Sequence, residues 1–279
     1  MKHWSGKKSV KKFILLAVIV SLLLCAAFFQ PFVHRFSSER AQGTKRPIQR
    51  VLAKKELDDR DYQLLLEQTG LGQAAIDEIR GKVDYRIEDI LLFQDCYLCD
   101  AKMECCSSTL FTKQDKVVLK GNRQVPMAVL QDGDILISFS SHSLGWQHGH
   151  AALVVDGKNL LALEAVMPGS SSKIRSCKYW NTYSDFMVLR LKGASEEERA
   201  AIADFAAENL TGVPYSLISG FFGKREEEDA KEMTAQCAYL IWYAFMRFGY
   251  DLDSDGGRLV TVGDLQESPL LEVVQVFGR

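Results

Sequence analysis

The chain opens with a segment that a globular domain has little use for. Phe13 to Phe29 is a run of 17 apolar residues broken only by Ser21, and five lysines precede it. That length stands at the lower limit for crossing a bilayer, and Pro31-Phe32-Val33 could extend it. The run is terminal, lacks a polar face and follows a basic segment, so it predicts an uncleaved anchor rather than a buried core helix. Two rivals remain: a cleaved signal peptide, although no Ala-x-Ala site follows, and a lipid-modified Cys25, although Leu24 stands where a small residue is needed. Arg35, Arg40, Lys45, Arg46 and Arg50 lie beyond the run, so basic residues on its two sides nearly balance and leave orientation open on charge alone.

Charge excludes one class of function. The first 35 residues hold six basic side chains and no acid; of the chain's 34 basic and 36 acidic residues, the rest keeps 28 against 36. A body that acidic disfavours nucleic acid, whose phosphates demand a positive surface. Cys96, Cys99, Cys105 and Cys106 fall within eleven residues. Outside the cytoplasm such a cluster reads as one or two disulfides pinning a loop; inside it, the same spacing would suggest zinc. Export is the reading carried forward: a single-pass cell-membrane protein with its main domain extracytoplasmic, contacting the membrane through residues 13–33.

Local signals divide the chain into a tail and anchor (1–33), a polar linker (34–50), a helical and Cys-containing segment (51–125) and a mixed domain (126–279). Asp58-Asp59 starts a helix whose Tyr62, Leu65 and Leu66 share a face, ending near Gly70. Gly70-Leu71-Gly72 turns the chain into a second helix around Ala74–Ile79; no strand precedes it and no third glycine follows, so it is no dinucleotide fingerprint. With no polar constellation, this segment reads as a spacer or partner surface. Beyond it, strands are predicted at residues 134–139, 150–155, 159–165 and 186–191. Ser195 and Glu198 form a capping box for a helix to about Asn209, and another helix spans about 236–248 with Thr234 as candidate N-cap. Strands followed by segregated helices make the fold class α+β.

Cys237 is the candidate nucleophile. It lies in the first turn of an apolar helix, where unpaired N–H groups favour a thiolate; an inert buried cysteine is the ordinary alternative. A thiolate needs a base, and the base an orienting acceptor. His150 opens the strand Gly149-His150-Ala151-Ala152-Leu153-Val154-Val155, and Glu164 is the single charge in Leu160–Ala165. A two-residue hairpin loop would put them on opposite faces. A three-residue loop, Asp156-Gly157-Lys158, or an equivalent bulge, pairs them directly and is the prediction. His142, His148, His150 and Cys177 could be imagined as a metal set, but no second ligand motif has fixed spacing, so no metal and no cofactor are predicted. His148 reads as a substrate-side or loop residue; Trp146 or Trp180 could serve the mouth of the site, although a packed tryptophan is the default, and Lys224–Asp229 reads as a solvated loop or lid.

Gly149-His150-Ala151-Ala152-Leu153-Val154, then Glu164, then Cys237-Ala238-Tyr239-Leu240 resembles the papain-like NlpC-type cysteine hydrolases. The order His, Glu, Cys is that of their circularly permuted branch, the YiiX/YebB-like proteins. Gly212-Val213-Pro214-Tyr215 resembles the Gly-x-Pro-Tyr element of that superfamily, and Asp132-Gly133-Asp134-Ile135-Leu136 the strand that opens the permuted domain. The likeness covers about residues 126–279. It implies a circularly permuted papain-like domain acting as a thiol amidase or peptidase, with Cys237 attacking a carbonyl, His150 moving the proton and Glu164 holding the imidazole. The Cys237 N–H, with the Tyr215 hydroxyl, would stabilise the oxyanion, and Gln236 and His148 would line the substrate side. The implied substrate is a peptide or amide, cell-wall peptidoglycan among the candidates. The same triad could act on lipid acyl groups, as in acyltransferases of the lecithin–retinol type, and a catalytically silent binding module stays open. Oligomeric state is not readable.

Overall fold

Residues 16–18, 20–21, 43–107, 112–143, 146–221, 230 and 232–278 are described in the computed structural model. Among the described residues from 43 onward, the first elements are the helices α1 (Gln49–Leu52), α2 (Asp59–Thr69), α3 (Gln73–Arg80) and α4 (Ile87–Tyr97). Strands β1 (Ala101–Ser107), β2 (Thr112–Leu119), β3 (Ile135–Ser138), β4 (Ser141–Ser143), β5 (Trp146–Gln147), β6 (His150–Asp156), β7 (Leu161–Glu164) and β8 (Lys173–Ser176) follow. A 3₁₀ turn (Lys178–Thr182), β9 (Phe186–Leu191), α5 (Glu196–Asn209), α6 (Cys237–Met246), α7 (Val262–Glu267) and β10 (Leu271–Phe277) complete it. The strands form two antiparallel sheets, ordered β10-β9-β3-β6-β7-β8 and β1-β2-β4-β5, so the class is α+β as expected.

Both faces of the larger sheet are covered, which is why β3 and β9 are buried throughout. On one face Ile135, Ile137, Ala151, Leu153 and Leu189 pack with Ile202 of α5 and with α6, an all-apolar helix that only a core can hold. On the other, Leu136, Ala152, Val154, Val188 and Val274 pack with Leu65, Ile76, Ile79, Ile90 and Phe93 of the leading helices. The segment read as a spacer is therefore the second cover of the sheet. Its attachment explains Gly70 and Gly72. Val276 N–H donates to the Gly70 carbonyl and Gly72 N–H to the Val274 carbonyl, and a Cβ would stand 2.0 Å from Val276 O at position 70 and 1.7 Å from Val273 O at position 72.

Several local expectations hold. Asp58 and Ser195 head capping boxes, and α2 ends on Gly70 in the left-handed region. The N-cap of α6 is Gln236 rather than Thr234: its side-chain oxygen accepts from Ala238 N–H at 2.7 Å. The Asp132-Gly133-Asp134 turn is tied on both sides. Asp132 accepts from Gly157 N–H at 2.7 Å, and buried Asp134 takes a two-pronged bond from Arg190 of β9, with Nε–Oδ1 2.7 Å and Nη2–Oδ2 2.8 Å. Residues 16–18 and 20–21 of the N-terminal apolar run are helical, with Leu16, Val18 and Val20 exposed; the rest of the run and the Lys224–Asp229 stretch lie outside the described residues. Among the described residues, no helix is long and apolar enough to cross a membrane.

Candidate active site

His150 is the first residue of β6 and Glu164 the last of β7, so the antiparallel hairpin carries both to one end of the sheet. The predicted direct pairing is not what brings them together. Leu153 pairs with Leu163 and Val154 with Ala162, a bulge follows at Val155, and Asp156 pairs with Leu161. Continued in that register, Glu164 stands opposite Ala152, two residues from His150 and on its face. The bulge thus restores the shared face that the three-residue loop was expected to give, with the partners diagonal. His150 Nε2 lies 3.3 Å from Glu164 Oε2.

Glu164 sits in a cradle of donors. Its Oε1 accepts from Tyr179 Oη at 2.5 Å and from Trp180 Nε1 at 3.2 Å, while Arg175 Nη1 lies 3.9 Å from Oε2. Burial alone would raise this carboxyl; the bond and charge of His150, then Tyr179 and Trp180, more than reverse that and hold it below the usual range. Trp180 also stacks on the imidazole, ring centroids 5.4 Å apart at 17°, with Tyr183 edge-on behind it. Trp180 is fully buried, so it serves as a wall of the site and not as its mouth. The sequence reading missed Tyr179 and Arg175.

Cys237 enters as the first residue of α6 and is hydrogen-bonded to His150. Burial disfavours the imidazolium, but the bonds to Cys237 and Glu164 and their charges prevail and raise His150 to about 10. The imidazole is thus bonded to both the thiol and the carboxylate, with Trp180 stacked on its ring.

Tyr215 stands near Cys237, its loop joined to the approach of α6 by a parallel bridge to Ala235; burial first, then the charge of Cys237, raises its hydroxyl. Gln236 uses its side chain on the fold, its oxygen capping Ala238 and its amide donating to the Val260 carbonyl, so it fixes where α6 begins. His148 is half-buried on the loop before β6; Nδ1 contacts the Gly149 carbonyl and Nε2 the Ser143 hydroxyl, both at 3.0 Å. The imagined set of His142, His148, His150 and Cys177 does not form: His150 is bonded to Glu164 and Cys237, and Cys177 is buried at the start of the 3₁₀ turn with its thiol raised to about 11, chiefly by burial. The side chain of Trp146 lies outside the described residues.

The disulfide candidates are unpaired. Cys96 turns inward from α4 towards the Gln124 carbonyl, Cys99 bonds the Asp100 carbonyl, and Cys105 and Cys106, adjacent in β1, point to opposite faces. The segment they were expected to pin as a loop is a β-hairpin held by its own ladder.

Among solved structures, the chain is similar to the crystal structure of metalloprotein yiiX from Escherichia coli O157:H7, DUF1105. The two share 18% sequence identity at a TM-score of 0.40, over 52% of this chain and 97% of that one. No protein-family model and no curated protein matches the chain.

Proposed function

We propose that this chain is a cysteine hydrolase of the circularly permuted papain-like kind, cleaving amide bonds with Cys237, His150 and Glu164. The observation that carries the reading is His150 held between Cys237 and Glu164, with a donor cradle fixing the carboxylate. His150, raised by its bonds to Cys237 and Glu164, is the base that takes the thiol proton. Cys237 Sγ attacks the carbonyl carbon, and the carbonyl oxygen becomes an oxyanion. The first-turn N–H of Cys237 and the Tyr215 hydroxyl are the donors offered to it. His150 then passes its proton to the leaving amine, and water, deprotonated by the same imidazole, releases the acyl group. An N-terminal anchor would hold the enzyme at the outer membrane–water boundary, next to wall peptides.

A second reading has its own support. Val166 and Met167 follow Glu164 closely, Leu217 and Ile218 follow Tyr215, and all four are exposed. Their loops are stitched together by the Ser171–Pro214 bridge and by Tyr215 N–H donating to the Ser170 carbonyl at 2.9 Å. An exposed apolar patch on the loops that follow Glu164 and Tyr215 suits an acyl chain better than a charged wall peptide, and it favours lipid acyl transfer on the same triad.

Iodoacetamide labelling of the full chain, mapped by mass spectrometry, tests the common core. Fast labelling of Cys237 near neutral pH, slowed in His150→Ala, is the expected result. Labelling with an ordinary thiol pH profile, indifferent to His150, would leave a binding module. Incubation with wall peptides and with acyl donors then separates the two enzyme readings, because a stable thioester on Cys237 forms only from the right acyl group.

A further inference from the structure

A second trio of ligating side chains meets on the smaller sheet. Cys105 of β1 stands directly opposite Asp115 of β2, and His142 of β4 stands opposite Lys113 of β2. Lys113 and Asp115 are two residues apart and so project to one face, which sets Cys105 straight across from Asp115 and His142 diagonal to it. One thiol sulfur, one carboxylate oxygen and one imidazole nitrogen come within 4.8 Å of one another. His142 Nε2 is 3.3 Å from Asp115 Oδ1, and their side chains are only 8% and 7% exposed. Cys105 hydrogen-bonds the same carboxylate and opens to solvent.

We propose that Cys105, Asp115 and His142 bind a divalent transition metal of the zinc class. The donor set selects the ion: sulfur is a poor ligand for magnesium or calcium, whereas thiolate, imidazole and carboxylate together suit zinc or cobalt in a tetrahedron. Three protein ligands leave the fourth position to water, on the side where Cys105 is exposed. Coordination displaces the thiol proton to solvent, and the two positive charges of the ion are then met by one thiolate and one carboxylate. Lys113, whose charge acts on Cys105, opposes the ion and moderates its affinity. Because each ligand comes from a different neighbouring strand, the ion clips β1 and β4 across β2.

Cobalt(II) is the probe. It is titrated into the full chain after chelator treatment, on a Cys237→Ala background so that the nucleophile cannot serve as a ligand. A single equivalent is expected to bind with thiolate-to-cobalt charge-transfer absorption in the near ultraviolet and intense visible bands of four-coordination, both removed by added zinc. Cys105→Ser, at an exposed strand position, abolishes the charge-transfer absorption. His142→Asn weakens binding by more than the roughly 10–100-fold that loss of an outer-sphere partner costs. Absence of charge-transfer absorption, or absorption that survives Cys105→Ser, overturns the proposal. The decision rests on Cys105→Ser, whose change does not touch the core.

Discussion

Among the described residues are two cysteine–histidine–carboxylate clusters whose histidine–carboxylate distances are the same, 3.3 Å, and whose histidines and carboxylates are similarly buried. They differ in order. At the end of the larger sheet the imidazole is central, bonded to Cys237 on one side and Glu164 on the other. On the smaller sheet the carboxylate is central, with Cys105 and His142 both turned to Asp115. A central base can take a proton from a thiol and return it elsewhere; a central carboxylate can only gather donors, which a metal can replace. Residue types alone do not distinguish the two clusters. Strand register and the start of a helix do.

The largest effect should come from the nucleophile. Cys237→Ala is expected to lower turnover by roughly 10⁶-fold, with the melting curve kept near that of wild type. Glu164→Gln should cost up to about 10⁴-fold, because the imidazole loses the acceptor that fixes its tautomer. Both are read from single-turnover assays on whichever acyl substrate labels Cys237. Comparable turnover in either variant would remove the contrast between the clusters. The hold on Glu164 can be tested more gently. Tyr179→Phe deletes one charge-assisted donor, worth about 1.5–3 kcal/mol, and should slow turnover by about tenfold or more while Cys237 still labels. An unchanged rate would mean that Trp180 and Arg175 suffice.

Arg190→Met probes the sheet that carries the triad. It leaves Asp134 buried without its partner and should cost about 3–5 kcal/mol of stability, read from urea midpoints. That pair, and the bulge at Val155, were beyond reach of the sequence: Arg190 lies far along the chain from Asp134, and a bulge is chosen by packing rather than by any residue type. Local chemistry was legible. The helix start at Asp58, the Ser195 capping box, the Gly70 stop, β6 and the apolar helix after Gln236 all announce themselves within a few residues. β1 was hidden because its side chains alternate only weakly between half-buried and exposed, so pairing with β2 stabilises it without an apolar stripe. β8 is exposed along its whole length. The donors to Glu164 lie 15 and 16 residues beyond it, delivered by a 3₁₀ turn that carries no motif.

The pH dependence of stability gives a finer contrast. His150 is raised from 6.5 to about 10, so its contribution is fully present below 6.5 and is lost as pH rises through about 10. Glu164 is lowered from 4.5, so its contribution is present above 4.5 and is lost as pH falls through its depressed folded value. The stability advantage of wild type over Glu164→Gln should therefore be greatest between pH 4.5 and 6.5 and should shrink towards pH 10. Urea unfolding at intervals across that range measures it. An advantage that does not change with pH would mean that the imidazole and carboxylate do not titrate as a pair.

The smallest expected effect concerns whether the clusters speak to each other. His148 feels the charges of both His142 and His150, so the two sites are electrostatic neighbours. A bare dication beside His148 would oppose protonation of His150 and slow the loss of the Cys237 proton. Bound by Cys105 and Asp115, however, the ion is matched by a thiolate and a carboxylate, and the set has no net charge to project. Chelation of the full chain should accordingly abolish the cobalt absorption while leaving the iodoacetamide labelling rate of Cys237 unchanged. A rate that rises when metal is removed would show that the ion's charge is not cancelled at the site, and that the second cluster acts on the first through His148.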